Sequence, residues 1–271
     1  MKEPAWSGRT TAIILGMTAL LSGCTTVNDL YPRFKEQSAA MRSVAVTTDV
    51  MILEDVKGPQ PLVDVPRDNA LAAGLNRYFR EELEKRGLTV TMTEQSSIGL
   101  RYASAVTPPI KVRAADQASS VPLEALGTAP GPFYLAPAYV ETARRGNLQN
   151  VFEDMRRYVP KPGTPNVVSR SLRRLPPIDA TTHRIFLLIE GVQVPMGKGL
   201  TQALTTGLLS LGTVSVYQMT TVNFRIGVAD VSTGEFILIE DCTLAGGWTV
   251  DEAYLRRQAA IFFAHFDRLR H

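Results

Sequence analysis

The sequence predicts an α/β fold of the α+β kind, with one mixed sheet interrupted by a long proline-rich insertion. Three observations predict it. A β-branched run, an amphipathic helical pattern and an alternating run succeed one another over residues 43–93, the order of a strand–helix–strand unit. A continuous apolar run, a hairpin pattern and an aromatic-faced helix fill residues 183–269. Between these halves, residues 103–180 hold 11 of the 17 prolines. Proline removes a backbone donor and fixes φ, so long regular elements cannot run through most of that stretch.

The first residues are of a different kind. Lys2 and Arg9, softened by Glu3, give a basic start, and residues 12–21 form an apolar core ending in small residues, the three parts of an export signal. That core is about half of the ~20 residues a membrane-spanning helix needs, and an uncleaved anchor helix is the alternative. It closes on Leu21-Ser22-Gly23-Cys24, which resembles the lipobox of bacterial lipoproteins. The resemblance implies a lipid on the Cys24 sulfur, a cut just before it, and residues 1–23 as a signal peptide outside the fold. It implies an outer-membrane position on the periplasmic side, because Thr25 stands where enterobacterial lipoproteins retained at the inner membrane carry aspartate.

Cleavage there leaves 248 residues with 27 basic and 25 acidic side chains. That length can bury a real core in one large or two small domains. The small positive excess gives no case for nucleic acid. Cys242 is then the remaining thiol, read as buried and inert in preference to an inter-subunit disulfide.

Residues 24–42 are polar without a sustained apolar period and read as a tether, with a short helix near 34–41. Residues 43–102 form the first half of the domain. The strand at 43–53 is rich in Val, Thr and Ile. Gly58, Pro59, Pro61 and Pro66 then break the chain. A helix follows, capped by Asp68 or Asn69, with Leu71, Leu75, Phe79 and Leu83 on one face and Gly87 as its left-handed end. Residues 88–93 alternate as a half-buried strand.

The insertion, residues 103–180, offers one helical island at about 138–158, with Leu148, Val151, Phe152, Met155 and Tyr158 close to one face. It also carries Arg144, Arg145, Arg156, Arg157, Arg173 and Arg174. These read either as a solvated, partly mobile surface or as a contact for anionic headgroups or an acidic partner.

Residues 181–271 form the second half. The run Ile185-Phe186-Leu187-Leu188-Ile189 suits a central strand buried on both faces. Val222, Phe224, Ile226 and Val228 share one parity of a long strand, and residues 231–235 make a turn with Gly234 fit for positive φ. A three-residue turn with a glycine bulge sets Cys242 opposite Phe224. The last helix starts at a capping box, Thr249-Val250-Asp251-Glu252. Leu255, Ala259, Phe262, Phe266 and Leu269 then face the sheet, with Ala260 and Phe263 widening the stripe.

The reactive groups are few. His265 lies in the terminal helix and His271 at the chain end, leaving His183 as the histidine for an enzyme hypothesis. The Gly191–Gly199 stretch departs from a phosphate loop in spacing and in lacking the hydroxyl after Lys198. Asp230, Glu235, Glu240 and Asp241 read as solvated carboxylates beside a turn. No catalytic residue, cofactor or metal is expected.

Taken together, the lipobox, strand–helix–strand, buried strand, Asp-x-x-Thr-Gly-Glu hairpin (Asp230 to Glu235) and terminal helix look like a group of periplasmic α/β lipoprotein domains. The group includes curli-secretion channel lipoproteins, exopolysaccharide-export lipoproteins and the N-terminal domain of the translocation protein TolB. The likeness covers about 43–101 and 183–269. It implies a non-enzymatic scaffold or accessory role in envelope assembly or secretion, with envelope or secretion proteins and further copies of the chain as partners. The alternative it offers is a channel subunit inserting a β-hairpin from about 197–225.

Overall fold

The strand–helix–strand half forms where its pattern requires, with β1 (Ser43–Glu54) at the centre of the sheet. In the computed structural model, the described residues are 34–54, 60–100, 110–122, 125, 132–158, 167–178, 181–193, 221–242 and 250–270. Parallel partners flank β1: β3 (Thr89–Ile98) on one side and β8 (His183–Gln193) on the other. Beyond β3, the same edge of β1 is taken by the antiparallel β2 (Leu62–Asp64).

The connecting helix, α2 (Val65–Lys85), begins earlier than the sequence predicts. Asp64 caps it, accepting from the Arg67 N–H at 3.2 Å. Pro66, expected to be a breaker, occupies the first turn, where a missing N–H leaves no bond unmade. The far end is as expected. Gly87 has φ +74°, its N–H donates to the Glu84 carbonyl at 3.0 Å, and the Leu88 N–H reaches the Leu83 carbonyl at 3.1 Å. Leu71, Leu75, Phe79 and Leu83 are all buried.

In the second half, β8 pairs antiparallel with β9 (Thr221–Asp230), and β9 with β10 (Glu235–Asp241). The turn has four residues, not three, and the bulge falls between Phe236 and Leu238. The two changes offset each other. The Cys242 N–H still meets the Phe224 carbonyl at 2.8 Å, and the thiol is buried. Residues 221–225 of the segment put forward as a membrane hairpin belong to this sheet, paired with β8, and 197–220 lie outside the described residues.

The last helix, α4 (Glu252–Arg270), corrects its expected cap. Asp251 accepts the Tyr254 N–H at 2.7 Å, whereas Glu252 turns to Arg256 at 2.5 Å. Aspartate caps as well as threonine, and a glutamate one turn ahead of an arginine finds an ion pair on its own helix. Thr249 lies outside the described residues. Ala260 is exposed, and the stripe is widened by Phe263, Tyr254 and Gln258 instead.

Two helical layers enclose the sheet. On one face, α2 and α4 cross over Val46, Val50, Leu187, Phe224 and Ile226. Phe79 and Phe263 meet there with ring centroids 5.0 Å apart. The short helix α1 (Phe34–Ala39) joins this layer, with Phe34 edge-on to Phe266 at 5.6 Å. Phe34 and Met41 are fully buried, so α1 is packed onto the domain through these two side chains where a tether was expected.

On the other face lies α3 (Thr142–Arg157), from the insertion. Its Leu148, Val151, Phe152 and Met155 are buried against Phe186, Leu188, Ala229 and Phe236. The insertion therefore supplies a structural layer, through the helical island whose apolar face the sequence predicts. Its short strands also widen the sheet, to ten strands among the described residues. β4 (Lys111–Arg113) and β5 (Val121–Pro122) extend it beyond β2, β6 (Tyr134–Leu135) pairs with β3, and β7 (Val167–Val168) with β10.

Candidate functional site

The α3 face of the sheet changes character along its length. Near the β9–β10 turn it is apolar, with Phe186, Ala229 and Phe236. Toward the other end, strand parity brings Asp49, Glu190, Asn223, Arg225 and Asp241 to the same face. The register sets Leu188 beside Arg225 and Arg225 beside Asp241, with Glu190 beside Asn223. Arg156 of α3 closes over this row, leaving a cleft of about 140 Å³ lined by Arg156, Leu188, Glu190, Asn223 and Arg225. Behind it, a void of about 10 Å³ reaches Asp49, Leu100 and Gln149. Ligand pockets usually measure ~300–1,000 Å³, so the cleft suits a small polar species and the void a single water.

The charges in this cleft tie α3 to the sheet. Arg156 donates to Glu190 at 2.7 Å and to Glu153 on its own helix at 2.8 Å. Arg225 caps the end of α3, donating to the carbonyls of Met155 at 2.9 Å and Tyr158 at 3.2 Å, and also to that of Arg156. A guanidinium there satisfies carbonyls that have no partner within the helix and complements the negative end of its dipole. Arg225 also reaches Asp241 at 3.3 Å.

Asp49 is different. It is buried mid-strand, and its Oδ1 has no hydrogen-bond partner among the described residues. Burial pushes its carboxyl up to about 7, against hydrogen bonds from Ser97 and from the Gly99 and Leu100 backbone, with Glu190 adding repulsion. Gly99 has φ +70°, which aims its N–H along this bend. The arrangement can hold a helix and take up a proton near neutrality.

The chain matches no family model, no curated protein and no solved structure. The site is therefore read from its own geometry. Cys24 lies outside the described residues.

The six paired arginines of the insertion, Arg144, Arg145, Arg156, Arg157, Arg173 and Arg174, separate into two groups. Arg156 and Arg157 stand at the cleft end of α3, where Arg156 is part-buried and paired with Glu190 and Arg157 is exposed beside Glu153. Arg144 and Arg145 stand at the other end of that helix. There the Asn147 side chain reaches the Arg174 carbonyl at 3.5 Å, and Arg173 Nε donates to the Thr233 carbonyl at 3.0 Å. Arg144 pairs with Glu141 at 3.0 Å and stays half exposed.

Of the hairpin carboxylates, Glu240 is partly buried against α4 and paired with His265, and desolvation raises its pKa. It is not the solvated group expected. Asp230 instead binds its own turn, accepting from the Ser232 N–H at 2.9 Å and hydroxyl at 2.6 Å. His183 is buried at the start of β8 beside Thr182, and burial lowers its pKa. The cleft residues Asp49, Glu190 and Arg225 escaped the sequence reading. Their signal was a charge on each strand at the parity opposite the apolar one.

Proposed function

We propose that the chain is a lipoprotein held by a lipid on Cys24 at the periplasmic face of the outer membrane. There its α/β domain acts as a non-enzymatic scaffold or accessory factor in envelope assembly or secretion. The observation that carries this reading is Leu21-Ser22-Gly23-Cys24, closing an apolar run too short to span a bilayer. Its support in the fold is a single mixed sheet with a strand–helix–strand half and a hairpin–helix half, the architecture the resemblance implies. Envelope or secretion proteins are the partners it calls for.

The test is Cys24→Ala in the native host. A soluble or uncleaved precursor is expected. Lipidated, membrane-bound protein from that variant would overturn the reading. Crosslinking of the detergent-extracted protein then addresses the scaffold itself, since a monomer or dimer fits it and a stable ring does not.

A further inference from the structure

One end of the sheet collects basic side chains. The register draws a row across it: Thr89 pairs with Ser43, Val44 with His183, His183 with Asp230, and Asp230 with Glu235. Arg42 precedes β1 at this row and is exposed. The last turn of α2 brings Lys85, whose side chain is 66% exposed and pairs with Glu82 at 2.7 Å. The last turn of α4 brings Arg268, beside an Arg270 that donates to the Arg86 carbonyl at 3.4 Å. Across the sheet, Arg173 on the hairpin turn, Arg174 and Arg144 complete the set.

Several carboxylates of this end are engaged, while Glu36 of α1 and Glu84 of α2 stand exposed among the basic groups. Asp230 binds its turn, Glu235 accepts from Gln37 at 3.3 Å, and Arg86 holds both Asp267 at 2.6 Å and Glu82 at 2.7 Å. The opposite end is built from closed pairs, with Arg67 on Glu54 and Asp68 and Arg113 on Asp64.

The chain enters the fold at this same basic end. α1 packs beside Phe266 and reaches Glu235 through Gln37. Only Thr25 to Arg33, nine residues, separate Cys24 from Phe34. Even fully extended, that stretch spans at most about 35 Å.

We infer that the basic end is a docking surface for anionic phospholipid headgroups, so that the domain lies on the bilayer with the cleft end pointing away. The inference rests on the anchor reading above, which confines the domain to the surface. A basic side chain near an anionic surface contributes roughly a fivefold factor, and several act together within a Debye length.

The experiment uses the lipidated full chain, reconstituted into phosphatidylcholine vesicles with or without phosphatidylglycerol. Backbone hydrogen exchange is followed in the 231–235 turn and the last turn of α4. Slower exchange on the anionic vesicles is expected, lost in about 0.5 M salt and reduced about tenfold or more in the Arg174→Glu/Arg268→Glu double variant. Unchanged exchange in β1 and β8 reports that this variant is folded. Equal exchange on both vesicles, or a slowing that survives the charge reversals, would overturn the inference. The mass of the N-terminal peptide separates the two claims. A chain without lipid on Cys24 refutes the anchor, whereas lipid present with equal exchange refutes only the docking.

Discussion

Asp49 sits in the middle of β1, between the β-branched Thr48 and Val50, and no cation among the described residues offsets its burial. Its carboxyl is pushed up to about 7, and burial does the same to Asp68 despite Arg67 beside it. The sign follows from linkage. Between about pH 4 and pH 7 the folded chain keeps protons that the unfolded chain releases, so stability is greatest below that window and falls as pH rises through it. Asp49→Asn should therefore remove about half of the decline in urea midpoint between pH 4 and pH 8. A variant with the parental slope would contradict the assignment. The tension at Asp49 was only half legible in the sequence. Alternation along 43–53 marks the residue as inward on one face, but which layer covers that face depends on a helix about a hundred residues away. Glu240 was misread for the same reason: a carboxylate beside a turn looks solvated until α4 is laid over it. Cys242, by contrast, stands opposite Phe224 as expected because a longer turn and a displaced bulge offset each other in the hairpin register.

At the scale of elements, periodicity was readable and punctuation was not always so. The apolar faces of α2, α3 and α4 stand where their spacing put them. The starts of α2 and α4 moved because several Asp and Thr residues compete for each cap, and the choice falls to whichever geometry the preceding strand or loop allows. α1 is the clearest departure, since six residues hold too little pattern to reveal a buried aromatic anchor. Phe34→Ala should cost about 3–5 kcal/mol in a denaturation experiment, as for other buried phenylalanines; a cost below about 1 kcal/mol would return the segment to the tether. The sheet–α3 contact has its own test at Gly227. A Cβ there would lie 2.6 Å from the Met155 sulfur and 2.8 Å from the Phe236 ring. Gly227→Ala should destabilise by about 1–3 kcal/mol. Adding Met155→Ala should recover part of that, giving a double variant more stable than the sum of the two single changes. Strict additivity would show that α3 does not rest on this point.

For the whole molecule, the halves recognised in the sequence combine into one sheet, and the insertion between them provides the layer that makes it a three-layer structure. That role was hidden because the prolines mark where regular elements stop and not what the island between them covers. The pairing of β1 with β8 has a kinetic meaning as well. Val44 meets His183 across half of the chain, and all of β1 from there to Glu54 is zipped to β8. A nascent chain that has produced only its first half has no partner for that edge, and closing so long a loop slows the search for it. The long edge of β1 must wait for residues 183–193, and the α3 layer, which rests on Phe186, Ala229 and Phe236, must wait for β9 and β10 as well. Under the anchor reading proposed above, so late a closure of the sheet is the property that suits a chain to passage through an export channel.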